Sequence, residues 1–129
     1  MTAATVWRRA RLVVVVAVLL STVWGGFSDG VENLRGITTA WQRVAAIAEL
    51  LYGVAAIAAI WALVERMSWL RIALVVWIAG TTITAGLAPV VWGDANWSAG
   101  VASGASAAVA TVLIAWGAIA HQRTSLGPS

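Results

Sequence analysis

The chain has 129 residues, 61% of them hydrophobic and 10% charged, with a mean hydropathy of +0.89 and a formal net charge of +3. A soluble domain carries about 25% charged residues, so this composition excludes a surface built to face water. The lack of cysteine excludes thiol exchange, thiolate metal transfer and cysteine-ligated iron–sulfur clusters by the chain itself.

A hydrocarbon core of roughly 30 Å needs about 20 apolar residues per spanning helix. Four such stretches, 7–27, 39–64, 68–92 and 97–120, take up most of the chain. The first follows residues 1–6 and opens "WRRARLVVVV". No A-x-A-like cleavage site follows in "STVWGGFSD", so the segment reads as a retained helix rather than a signal peptide. Residues 28–38 read as the longest connection. Asp29-x-x-Glu32 within it has capping-box form and predicts a short interfacial helix ending near Gly36.

Thr39-x-x-Gln42 is a second capping box, opening the second span. That span closes on the tight turn "ERMS", where Ser68 is the predicted N-cap of the third. Near the far end of span three, Gly86 and Pro89 predict a bent or terminated last turn. After "GDAN", which contains Asp94, the fourth span runs to a polar tail at 121–129. Short connections make consecutive helices antiparallel neighbours. The expected fold is an all-α membrane protein, a four-transmembrane-helix up-down-up-down bundle.

Indole rings favour the headgroup level, so tryptophans mark the edges of spans. Trp24, Trp41, Trp92 and Trp97 are expected at one interface, and Trp7, Trp61, Trp69 and Trp116 at the other. Trp77 alone falls inside, as a packing residue of span three. Arg8, Arg9, Arg11, Arg66, Arg71 and Arg123 fall on one side against Arg35 and Arg43 on the other. The positive-inside rule then puts both termini in the cytoplasm. Arginine without lysine, with abundant Ala, Gly and Trp, points to a GC-rich bacterial genome, hence to a bacterial cytoplasmic membrane.

In lipid, helices associate through close contact and interhelical hydrogen bonds, so small residues mark interfaces. Gly100, Gly104 and Ala108 form such a row on span four, and Gly80, Thr84 and Ala88 one on span three. Those two spans are expected to pack together.

Glu49 is the one ionisable side chain well inside a predicted span, eight residues past Trp41 and so about 12 Å from that interface. A carboxylate at that depth costs at least a few kcal/mol, so it is expected to face the bundle interior, be protonated, or pair. Tyr52, on the same helical face, and a Ser or Thr of another span are the expected partners. A structural acid that fixes the bundle is favoured over a proton- or substrate-binding one. His121, the lone histidine, is a weak candidate axial ligand for a haem or chlorin. No hydrolytic, phosphate-binding or metal-ligand pattern is present, so no catalytic residue and no cofactor of the chain's own are expected.

These features point to a non-enzymatic accessory subunit packed against a larger respiratory or photosynthetic membrane complex. The alternative is a small proton-coupled transporter using Glu49. Expected partners are the lipid bilayer and other integral subunits or copies of the chain, with no nucleic acid. Contact with lipids, or with quinone or pigments of a partner complex, fits this setting.

The stretch 48–77, "AELLYGVAAIAAIWALVERMSWLRIALVVW", resembles the DoxX-like superfamily of small four-helix membrane proteins. Its pattern of an acid followed by glycine on the second helix, a short basic turn and an apolar third helix falls on Glu49, Gly53, Arg66 and Arg71. Span one ends "WGGFSD" where the family has Gly-Lys. The resemblance implies a membrane subunit associated with redox or quinone-linked complexes, and no catalytic residue.

Overall fold

A computed structural model describes residues 2–36, 39–93 and 95–126, with side chains as far as Arg123. Asp94 lies outside the described residues. The helices are α1 (Ala3–Arg35), α2 (Ala40–Val64), α3 (Leu70–Val91) and α4 (Trp97–Leu126). All four are long and apolar enough to cross a membrane. Each packs along its successor, and α1 meets α4 more sparingly to close the ring. This is the up-down bundle expected from the short connections. The chain ends and the α2–α3 turn share one end of the bundle, called here the terminal end. The α1–α2 and α3–α4 connections share the other, the loop end.

The helix boundaries follow from local chemistry. Thr2 caps α1, its Oγ1 accepting from the Thr5 N–H at 3.2 Å, and Thr39 caps α2 through the Gln42 N–H at 3.2 Å. The α2 C-terminus closes as a Schellman turn, with Met67 N–H donating to the Ala62 carbonyl at 2.8 Å. That turn requires a left-handed residue, and Arg66 supplies it at φ 56°. Gln122 of α4 ties the same turn down, donating from Nε2 to the Met67 carbonyl at 2.8 Å. Ser68 is not the cap of α3. Trp69 occupies that position without a side-chain cap bond. At α4 the Asn96 Oδ1 accepts from the Ala99 N–H at 2.9 Å.

Two stretches depart from the sequence reading. The α4 helix continues through His121 to Leu126, where a polar tail is expected. Residues 28–35 form no separate interfacial helix but prolong α1, which ends at its C-cap Gly36. The reason is a continuous stripe at helical spacing, Val15, Leu19, Thr22, Gly26, Gly30 and Asn33, which keeps facing the bundle. Asp29, Glu32 and Arg35 ride on the exposed side. At 33 residues, α1 is about 50 Å long, well beyond the roughly 30 Å of a hydrocarbon core.

The core is thickest toward the terminal end. Val15, Leu19, Leu70, Leu74 and Trp77 are fully buried there against the alanines of α2, Ala55, Ala56, Ala59 and Ala62. These methyl side chains let the other helices close on α2. Trp77 is the interior tryptophan that the sequence singles out. Its Nε1 donates to Thr22 Oγ1 at 3.0 Å, tying α3 to α1 across the bundle, while the Thr22 hydroxyl donates to the Leu19 carbonyl at 2.8 Å. Large apolar side chains cover the outside, among them Val13, Ile72, Val101 and Val109, as suits a surface facing lipid.

Candidate functional site

Glu49, Asn33, Gln42 and Thr84 lie in the half of the bundle nearer the loop end, where glycines bring α1 against α2. A Cβ added to Gly26 would lie 2.7 Å from the Glu49 carbonyl oxygen, 2.8 Å from Gly53 Cα and 2.8 Å from Tyr52 Cε1. One turn further, a Cβ at Gly30 would meet the Leu50 side chain at 2.8 Å. Backbone contact of this kind needs glycine on α1, because any side chain there would push the helices apart.

This approach brings Asn33 against Glu49. The Asn33 Nδ2 donates to Glu49 Oε2 at 2.8 Å, and Glu49 is 5% exposed. Glu49 faces into the bundle as expected, but its partner is neither Tyr52 nor a hydroxyl. It is an amide from a segment that reads as a loop. An acid oxygen accepting from an amide has one of its lone pairs satisfied without a charged partner. The buried acid thus has its partner on the neighbouring helix, and the bond sets Asn33 of α1 against Glu49 of α2.

Tyr52 lies one turn below Glu49 and passes between helices. Its Cβ is against Gly80 of α3, where an added Cβ would be 3.0 Å away, and its hydroxyl reaches α1, 3.6 Å from a Cβ on Gly25. Gly80 therefore serves the α2–α3 contact, with the Ala48 carbonyl 3.1 Å from its added Cβ, and not the expected α3–α4 contact. The α3–α4 contact runs through Gly86, whose carbonyl oxygen would be 2.6 Å from a Cβ on Gly100 and whose Cα would be 3.4 Å from one on Gly104. Gly100 and Gly104 thus face α3, while their partner on α3 is the glycine read with Pro89 as bending or ending that helix.

Pro89 lies inside α3 near its end, and two carbonyls of that last turn accept bonds from outside the helix. Gln42 Nε2 donates to the Val91 carbonyl at 3.1 Å, and the Ala95 N–H to that of Pro89 at 3.3 Å. The Thr84 hydroxyl, by contrast, is buried with no hydrogen-bond partner.

The tryptophans divide differently from two equal belts. Trp41 and Trp97 meet edge-on at the loop end with ring centroids 5.8 Å apart, and Trp92 closes α3 nearby. Trp24 is not among them. The Gly26–Gly53 contact sets it level with Ala55, about fourteen residues and so about 20 Å along the axis from Trp41. It is 78% exposed there, on the outer face of α1. By the same register Trp7 lies beyond the α2–α3 turn, level with the last turns of α4, while Trp61, Trp69 and Trp116 sit close to that turn.

His121 lies near the terminal end of α4, in a cleft shared with Leu63, Val64 and Arg66. Its Nδ1 is buried with no hydrogen-bond partner. Among the described residues no three His, Cys, Asp or Glu side chains come together to hold a metal ion. The stretch 48–77 forms α2, its closing turn and the first part of α3. Within it Glu49 and Gly53 face α1, Arg66 makes the turn and Arg71 is exposed. No family model, curated protein or solved structure matches the chain.

Proposed function

We propose that this four-helix membrane protein is a non-enzymatic accessory subunit that packs against a larger respiratory or photosynthetic complex in a bacterial cytoplasmic membrane. The observation that carries this reading is where space is filled and where it is left. The interior of the terminal-end half is closed by Val15, Leu19, Leu70, Leu74 and Trp77, each at most 2% exposed. On the outside, a groove of about 610 Å³ runs along α3 and α4 below the Trp41–Trp97 pair, with Gly86, Gly100 and Gly104 in its lining. These glycines join α3 to α4, so the groove floor is nearly bare of side chains, and Ile83 and Val101 stand exposed beside it for a further helix to pack against, which is how helices associate in lipid. Glu49, held by Asn33, then acts as a packing acid.

Orientation belongs to the same proposal. The terminal end carries Arg8, Arg9, Arg11, Arg66, Arg71 and Arg123, and so faces the cytoplasm by the positive-inside rule. The test is mild solubilisation of native membrane, with a photo-crosslinking residue at Val101 in the groove. The expected product is a stoichiometric adduct with a different integral subunit. Recovery of the chain solely as its own oligomer, with crosslinks only between copies, would sink the reading.

A second reading, a small proton-coupled transporter, draws on the buried Glu49 carboxylate and the polar α1 segment leading from it to the loop end. There Glu49→Gln would abolish pH-dependent transport and leave assembly intact. Loss of assembly would return the acid to its packing role. A DoxX-like redox association, with quinone or pigment supplied by the partner complex, draws on the resemblance of residues 48–77.

A further inference from the structure

The sparse α1–α4 contact leaves a groove of about 390 Å³ on the outer face at the terminal end. Its walls are apolar, with Val14 and Leu113 toward the middle of the bundle and Trp7 and Trp116 flanking it. Gly117 forms part of the floor, and Arg11 lies across it, since a Cβ on Gly117 would be 3.7 Å from Arg11 Cγ and 3.8 Å from Cδ. The aliphatic stem of Arg11 is thus bedded on α4. Its Nε is buried without a hydrogen-bond partner. A guanidinium N–H withdrawn from water and left without an acceptor is costly. Among the described residues that end carries six arginines and one acid, Glu65, so its charge is strongly positive.

We propose that this groove binds an acidic phospholipid of the bilayer, one acyl chain lying along Val14 and Leu113 and the phosphate accepting hydrogen bonds from the Arg11 guanidinium. Three features favour this occupant. The charge is complementary, because an arginine fork matches phosphate oxygens bidentately. Basic pockets between spanning helices on the cytoplasmic side bind anionic headgroups, and this feature rests on the orientation proposed above. The depth also fits: Arg11 is level with Gly117, beside Trp116, where indole marks the headgroup region. A volume of this size lies within the roughly 300–1,000 Å³ range of small-molecule sites.

The test uses the purified full chain in detergent, incubated separately with phosphatidylglycerol, phosphatidylcholine and glycerol phosphate, and read by native mass spectrometry. Retained phosphatidylglycerol adducts are expected, with neither of the other two probes retained. Arg11→Gln removes the fork, and its expected effect is a loss of phosphatidylglycerol affinity of about tenfold or more, the scale of one charge-assisted hydrogen bond. Ala10→Phe fills the groove from its exposed rim, keeps every charge, and has the same expected direction. Arg123→Gln removes an equal charge outside the groove and is expected to bind as the parent does. Helicity and monodispersity qualify each variant before binding is scored. Equal retention of the two phospholipids, an Arg11→Gln protein that binds like the parent, or an equal loss in Arg123→Gln would overturn the proposal. Retention of glycerol phosphate alone would do so too, by assigning the site to a soluble anion.

Discussion

Adding one methyl group at Gly26 perturbs the α1–α2 contact and little else. The new Cβ would stand 2.7–2.8 Å from the Glu49 carbonyl oxygen, Gly53 Cα and Tyr52 Cε1, whereas ordinary contact begins at 3.4 Å. Two of these three atoms belong to backbone, so relief requires the helices to part by roughly 0.6 Å, enough to forfeit about a quarter of the dispersion well along the seam. Overpacking of this kind costs about 1–3 kcal/mol. Stretching the Asn33–Glu49 bond adds up to the value of an interhelical hydrogen bond in a membrane, about 0.6–1.7 kcal/mol. The gain in helix propensity from Gly to Ala returns at most about 1 kcal/mol. Gly26→Ala is therefore expected to destabilise the bundle by about 1–3 kcal/mol. The neighbouring Gly25→Ala is the internal control, because its Cβ meets only the Tyr52 hydroxyl, at 3.6 Å. It is expected to be neutral or mildly stabilising. Reversible unfolding in mixed bicelles, followed by helicity or by steric trapping, measures both. Equal stability of the two variants would refute the close approach of α1 to α2.

Trp77→Phe removes the bond to Thr22 and part of a ring that fills the core, and is expected to cost about 1–3 kcal/mol in the same assay. Gln42→Leu frees the Val91 carbonyl at the end of α3, with an expected loss of about 0.6–1.7 kcal/mol and faster hydrogen exchange in the α3–α4 connection. Nitroxides placed singly at 24 and 41 report depth through oxygen and nickel-chelate accessibility. Position 24 is expected to be deep and position 41 interfacial, and equal depths would contradict the α1 register.

Much of the fold was legible in the sequence. Hydropathy locates the four helices, Thr39 caps as its capping box predicts, and Trp77 is distinguished by lying far from any span edge. What escaped was the register of α1. Asp29-x-x-Glu32 has the form of a cap, yet the same residues sit mid-helix when Gly26, Gly30 and Asn33 keep facing α2. That stripe is the signal that would have found Asn33 as the partner of Glu49. Small-residue rows have a similar ambiguity. Spacing alone does not say whether Gly80 faces α2 or α4, because the choice depends on Tyr52 needing a slot. The α3 cap fell to Trp69 rather than Ser68 because the Schellman turn at Arg66 and Met67 sets the direction in which the chain leaves α2.

On the proposed reading Glu49 is a packing acid, held by Asn33 to fix α1 on α2. A double-mutant cycle with Asn33→Ala and Glu49→Ala, read as unfolding free energy in bicelles, tests it most directly. A packing acid gives a coupling of about 0.6–1.7 kcal/mol, with each single variant already weakening the bundle. Additivity within about 0.3 kcal/mol would contradict it.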